Sequence, residues 1–203
     1  MIFMGRYSYW CADAARMEKA VTSSTEFPQT NARSAWLSDD EMQAVRAHLP
    51  IVYVEAVPVR LDGAGRLVSV GLLLAPTPDG SISRTLVTGR VLHGETIRAA
   101  VLRHIAKDLG PMAIPRLPVS PAPFTVAEYF PDPQITGFSD PRQHAVSLVF
   151  VVPVDGDCQP SQSALDLTWL SPAEAVSPGV AAEMSGGRDR LVRMALSFAG
   201  ALP

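Results

Sequence analysis

One stretch of the chain concentrates residue types that can do chemistry. From Gly89 to Gly110, the sequence GRVLHGETIRAAVLRHIAKDLG joins a glycine-containing loop to acidic, basic and imidazole side chains. On a helix, His104, Lys107 and Asp108 share an arc about 100° wide. A carboxylate in such a cluster can hold a divalent cation, whereas an ammonium or imidazole can contact a phosphate. The glycines can bring backbone groups close to a ligand.

The sequence delimits the helix that carries these side chains. Thr96 is typical of an N-cap residue, and Gly110 followed by Pro111 predicts the helix end. Glu95 lies where the loop meets the helix, two turns before Arg103. The face that packs on the core is predicted by an apolar stripe at helical spacing, formed by Ile97, Val101, Ile105 and Leu109.

Helices are also predicted before and after this stretch. A capping box at Ser38–Glu41 predicts a helix that ends before Pro50. A second capping box at Ser171–Glu174 predicts another helix, with proline at its first position. A last helix is expected over roughly 187–199, with one apolar side formed by Leu191, Val192, Ala195 and Phe198.

Several apolar, β-branched runs predict a sheet. Glycine-containing turns separate the first three of them. A segment with seven prolines from Pro111 to Pro133 excludes a helix or a central strand there. The predicted strands cover 51–61, 67–75, 82–89, 144–154 and 164–170, with a short strand at 124–130 inside the proline-rich segment. This order of elements predicts a mixed sheet packed between helices.

Composition limits the class of protein. The chain has 203 residues, 47% of them hydrophobic and 18% charged, which is typical of a soluble globular domain. Its net charge of −3 gives no indication of a nucleic-acid partner. The longest apolar run, 145–154, is too short to cross a membrane. Cys11 and Cys158 lie far apart in the sequence, which favours a reducing cytoplasm. The sequence predicts that residues 1–35 form a poorly ordered tail and that residues 36–203 form the domain.

The stretch opening at Gly89 resembles the Nudix box. That box reads Gly, five residues, Glu, seven residues, then Arg-Glu-apolar-any-Glu-Glu-any-Gly-apolar, and it is matched in register by Gly89, Glu95, Arg103, Ile105 and Gly110. The segment LDLTWLSPAEA (165–175) resembles the strand-to-helix segment that often closes a Nudix domain. The resemblance covers about residues 36–200 and implies an α/β fold, a Nudix-like α/β/α sandwich with a mixed β-sheet.

The resemblance also implies an activity. Nudix hydrolases cleave a phosphoanhydride in a nucleoside diphosphate linked to another group, and box glutamates hold Mg²⁺ or Mn²⁺. It implies that Glu95 and Arg103 pair and lock the loop. By this interpretation the site residues are Glu95, Arg103, His104 and Asp108 for catalysis, Lys107, Gly94 and Tyr129 for the substrate, and Gly89 and Asp108 for the metal.

The box departs from the family pattern at its three glutamates. These positions hold His104, Lys107 and Asp108, so a single carboxylate remains. A divalent cation about 4 Å from Lys107 meets roughly 4 kcal/mol of repulsion per unit charge at an effective dielectric constant near 20. Further carboxylates would have to come from elsewhere, and the candidates are Glu128, Asp132, Asp140 and Asp166.

Two functions follow from these observations. The favoured expectation is a Nudix-type hydrolase of a nucleoside diphosphate derivative or related organic pyrophosphate, with a degenerate Mg²⁺ or Mn²⁺ site. The alternative is an inactive Nudix-fold module that binds a nucleotide or a protein partner, in which Lys107 and His104 contact the anion directly. A small phosphate or nucleotide ligand is expected in the first case, and a homodimer is one expectation because many relatives pair.

Other candidates weigh less. Four aromatic residues in and after the proline-rich segment can stack on a base, namely Phe124, Tyr129, Phe130 and Phe138. His144 precedes an apolar strand and can face a cleft. For each of them, packing in the core or in a loop is the competing interpretation.

Overall fold

A computed structural model describes residues 36–77, 80–160 and 164–203. The predicted tail, 1–35, lies outside them. The described residues form five helices and eight strands. In chain order these are α1 Asp39–His48, β1 Ile51–Leu61, β2 Leu67–Pro76, β3 Ile82–Thr85, β4 Val87–Arg90, α2 Ile97–Leu109, β5 Ala113–Pro115, β6 Thr125–Tyr129, β7 Ala145–Gly156, β8 Asp166–Leu170, α3 Pro172–Ala175, α4 Pro178–Ala182 and α5 Arg188–Phe198.

The sheet is mixed, as the sequence predicts. Its strands run in the order β3-β2-β1-β7-β5, while β4 also pairs with β1, β6 with β7 and β8 with β2. The central pair, β1 with β7, is parallel over nine residue pairs from Ile51–Ala145 to Val59–Pro153, and the other pairings are antiparallel. The near-continuous apolarity of β7 fits its central place.

Helices cover both faces of the sheet. One hydrophobic cluster joins β1 residues such as Val57 and Val59 to Leu191, Val192, Ala195 and Leu196 of α5. The second cluster joins Val54 and Ala56 of β1 to Val101, Ile105 and Leu109 of α2. Because alternate β1 residues point to opposite faces, the odd-numbered ones meet α5 and the even-numbered ones meet α2. The result is the predicted α/β/α sandwich.

Two sequence expectations need correction, and a third is confirmed. The run 82–89 is two strands rather than one, because β3 pairs with β2, β4 pairs with β1, and Leu86 is buried between them. As predicted, the proline-rich segment contains no helix, and it contributes a short edge strand, β5, as well as β6. In α5 the buried side includes Leu196, whereas Phe198 is 56% exposed and stacks on Phe124.

Candidate functional site

The loop and helix of the box follow β4 directly. Thr96 caps α2 by accepting a hydrogen bond from the amide of Ala99 at 3.2 Å, and Gly110, with φ of 84°, ends it. In the loop, Gly94 has φ of 74°, a left-handed conformation that favours glycine. The predicted substrate residue Gly94 is thus an exposed turn position whose glycine is explained by the backbone conformation.

Glu95 and Arg103 form the ion pair expected from the resemblance. The Nε and Nη2 atoms of Arg103 donate to the two carboxylate oxygens of Glu95 at 2.7 and 2.8 Å, and Nη2 also donates to the carbonyl of Arg90. Burial raises the pKa of Glu95, but hydrogen bonds from Arg103 and from the amide of Leu92 outweigh it and hold the pKa below its usual range. The pair fixes the loop between β4 and α2.

His104 packs against the glycine that opens the box. A Cβ built on Gly89 would lie 1.8 Å from the imidazole Cε1, so the glycine is required for the ring to fit. The Nε2 atom lies 3.0 Å from the Arg90 carbonyl and therefore carries the ring proton. The Nδ1 atom is buried, without a hydrogen-bond partner among the described residues. Burial lowers the pKa of His104 to about 4, and the ring is neutral at pH 7.

Asp108 is a buried acid with a basic neighbour. It is 4% exposed, and Lys107 Nζ lies 3.1 Å from its Oδ1 atom. Burial raises the pKa of Asp108, and Lys107 and the Thr88 backbone only partly oppose this. The Lys107 side chain is 31% exposed. Two of the three glutamate positions of the box therefore hold a neutral imidazole and an ammonium. The third position holds an acid, Asp108, that is already paired with Lys107.

An apolar patch lies on the same face of the sheet as α2. Register places Val52, Val146 and Glu128 side by side on the α2 face, and Val52 and Val126 are 45% and 52% exposed. Phe130 lies two residues after Glu128 and His144 two residues before Val146, and their rings stack with centroids 4.3 Å apart. The sequence singled out Glu128, Phe130 and His144 separately, and the structure brings them to one edge of this patch.

The comparisons with known proteins agree with this architecture. The family described as "domain of unknown function (DUF4916)" matches residues 32–201. The chain belongs to this family.

Solved structures of similar proteins identify the fold of the DUF4916 chain. A structure described as a possible asymmetric diadenosine tetraphosphate (Ap4A) hydrolase from Jonesia denitrificans is 58% identical, with a TM-score of 0.75 over 77% of this chain and 98% of the other. A Nudix hydrolase from Nitrosomonas europaea (16% identity, TM-score 0.55, 76% and 93% covered) and the Nudix domain of Shewanella oneidensis NrtR with ADP-ribose (18%, 0.52, 80% and 99%) share the fold. The DUF4916 chain therefore has the Nudix fold. No curated protein matches its sequence.

The described residues of the DUF4916 chain do not fit a Mg²⁺ or Mn²⁺ site. Over 36–77, 80–160 and 164–203, no three His, Cys, Asp or Glu side chains are grouped to hold a metal. Such ions require several oxygen ligands. Asp108 supplies one carboxylate, which Lys107 already neutralises. The other predicted ligand is Gly89, and the His104 ring packs directly against it.

The other predicted carboxylates have structural partners. Asp140 accepts from Arg142 and Gln143, Asp132 accepts from the Gln134 amide, and Asp166 accepts from Thr168. Glu128 alone lies on the α2 face. In the part of the chain that the structure describes, no helix is long and apolar enough to cross a membrane.

Tyr129 is not beside the box helix. It is 3% exposed in the cluster that packs on α5, and its hydroxyl donates to Glu55 Oε2 at 2.7 Å. Arg188 Nε donates to Glu55 Oε1 at 2.8 Å, so the buried carboxylate is bound on both oxygens. The substrate role predicted for Tyr129 is therefore corrected to a core role in this DUF4916 chain. Glu55 was not among the predicted site residues, although an acid within the apolar run IVYVEAVPV is a visible signal.

Proposed function

We propose that the chain binds the phosphate groups of a nucleoside diphosphate derivative beside α2, and that it does so without a divalent cation. The observation that carries this proposal is the Lys107 ammonium at the acidic turn of the box, 3.1 Å from the Asp108 carboxylate. An ammonium attracts phosphate and repels a divalent cation at the same position. The buried, neutral His104 adds no negative charge there.

The neighbouring surface supports a nucleotide rather than a bare phosphate. The patch at Val52 and Val126 offers exposed apolar area, and the stacked pair of Phe130 and His144 ends it. A base or sugar that covers apolar area while its phosphates meet a cation is the usual arrangement of a nucleotide site. ADP-ribose is bound by the Nudix domain of NrtR, which shares the fold.

The test is a calorimetric titration of ADP-ribose and diadenosine tetraphosphate into the full chain in EDTA. We expect saturable binding in EDTA, and about tenfold weaker binding in Lys107→Glu because the charge reverses. Lys107→Arg should retain the affinity. Arg66→Glu, in the turn between β1 and β2, is the matched charge-reversal control. Binding that requires Mg²⁺, or that ignores Lys107→Glu, would contradict the proposal.

Hydrolysis of the same ligand class is the second candidate. It is favoured by the 58% identity to the possible Ap4A hydrolase from Jonesia denitrificans, almost all of which this chain covers. We expect the two candidates to separate in one assay, in which the titrated nucleotides are incubated with the protein in EDTA, Mg²⁺ or Mn²⁺ and the products are resolved by chromatography. Cleavage above a protein-free blank assigns the hydrolase, and intact nucleotides together with calorimetric binding assign the binding module.

A further inference from the structure

A groove lies between α1 and the loop that precedes β7. Its volume is about 450 Å³, and it is open to solvent. Two of the five residues that line it are arginines; the five are Asp39, Gln43, Arg46, Ala47 and Arg142. No residue of the Nudix box lines it, so its ligand is a separate question from the proposed function.

Arg46 is held by a buried glutamine. Gln143 is 2% exposed, and its Oε1 atom accepts from Arg46 Nε at 2.8 Å. The Nε2 atom of Gln143 donates to the Tyr53 hydroxyl and to Asp140 Oδ2, both at 2.9 Å, which fixes the orientation of the amide. Among the described residues, the Arg46 side chain is hydrogen-bonded through Nε alone, so its two terminal nitrogens can bind a partner in the groove.

Arg142 is held in a similar way. Its Nε and Nη2 atoms donate to the two oxygens of Asp140 at 2.9 Å each, and Nη1 has no hydrogen-bond partner among the described residues. The Asp140 carboxylate thereby balances the charge of Arg142. Arg46, by contrast, has no carboxylate within ion-pair distance in the described part of the chain. A guanidinium cannot lose its proton, and a half-buried one is stabilised by an anion.

A position in the last turn of α1 explains part of this arrangement, because a cation there interacts favourably with the helix dipole. It does not explain a buried glutamine that orients the guanidinium, or a second arginine on the same groove. We propose that the groove binds a small oxyanion, the carboxylate or phosphate group of a small molecule, between Arg46 and Arg142. Asp39 lies two helical turns away, about 10 Å along the axis, and accepts a hydroxyl or amine of the same molecule.

The test uses the full chain and two probes, inorganic phosphate and acetate, titrated at constant ionic strength and followed by calorimetry. We expect one saturable site. Arg46→Met keeps the aliphatic stem and removes the charge, and should weaken binding about tenfold or more. Gln43→Glu places an acid one turn from Arg46 on the exposed face of α1, and should weaken binding because it supplies the missing counter-ion internally.

Arg66→Met is the control for loss of one arginine charge, because Arg66 pairs with Asp62 in the turn between β1 and β2 and does not line the groove. Phosphate binding alone assigns a phosphate ligand, acetate binding alone a carboxylate, and both a general oxyanion site. The proposal is overturned if neither probe binds, or if binding survives Arg46→Met. Phosphate binding that is lost in Lys107→Met and retained in Arg46→Met would place the anion at α2 instead, and would leave the proposed function intact.

Discussion

His104 shows how burial changes the chemistry of a residue type. In the sequence it is an imidazole at a glutamate position of the box. In the structure it is a neutral ring that fills the space over Gly89 and donates to the Arg90 carbonyl. A histidine that packs in this way positions β4 against α2. Its one ring nitrogen without a hydrogen-bond partner among the described residues is the buried Nδ1 atom.

This burial predicts a pH dependence of stability. The pKa of His104 is about 4 in the folded chain, against an ordinary value of 6.5, so between these values the unfolded chain takes up a proton that the folded chain does not. Stability is unaffected by this group above pH 6.5 and falls as the pH drops towards 4. We expect His104→Gln to lessen the loss between pH 7 and pH 5 by about 2 kcal/mol in urea unfolding.

Asp108 acts with the opposite sign and needs its own control. Because its pKa is raised on folding, its contribution to stability is present at low pH and is lost as the pH rises through the folded pKa. The His104 effect should therefore be measured in an Asp108→Asn background as well. His93→Gln, at an exposed position, is the control substitution, and an equal effect there would contradict the assignment.

The metal site can also be tested by restoring its residues. We expect the parent chain to show no saturable Mg²⁺ or Mn²⁺ binding by calorimetry, because Lys107 neutralises the single carboxylate of Asp108. His104→Glu combined with Lys107→Glu supplies three acids on one helical turn and should create millimolar or tighter binding. Adding Asp108→Asn should weaken it again. Tight metal binding by the parent would contradict this expectation and would show that carboxylates besides Asp108 complete the site.

At the scale of elements, β4 and α2 are joined by a contact that leaves no room for a side chain. Gly89→Ala would place its Cβ within the imidazole of His104, whereas His104→Ala would open a cavity. We expect Gly89→Ala to cost about 1–3 kcal/mol by overpacking. The double variant should be more stable than the sum of the single effects predicts, as a double-mutant cycle measured by urea unfolding would show. Additive effects would contradict this packing.

The sequence predicted the helices and strands better than it predicted the contacts between residues far apart in the chain. The capping boxes at Ser38 and Ser171, the Thr96 cap and the apolar stripe of α2 depend on neighbours three or four residues away, and all are present in the structure. The burial of Asp108 and the Glu55–Arg188 pair depend on residues far apart in sequence. Arg46 and Gln143 were missed for the same reason, since 97 positions separate them.

At the scale of the whole molecule, a buried ion pair joins distant parts of the chain. Glu55 on β1 is 1% exposed and is bound by Arg188 of α5 and Tyr129 of β6. We expect Glu55→Ala to lower the free energy of unfolding by about 3 kcal/mol or more, because Arg188 loses its anion. Asp155→Ala, whose exposed pair with Arg116 is the control, should cost less than about 1 kcal/mol. Chemical denaturation measures both, and equal costs would refute the argument.

The parallel pairing of β1 with β7 has a consequence for synthesis on the ribosome. Ile51 is translated 94 residues before its partner Ala145. At 5–20 residues per second this interval lasts roughly 5–20 s, during which β2 and β4 can pair with β1 but its other edge stays open. Arg188, the ion-pair partner of Glu55, is translated a further interval later, because it lies 133 residues after Glu55. The nascent chain therefore exposes a β-branched edge and an uncompensated acid together, and the acid disfavours premature association of that edge with another chain.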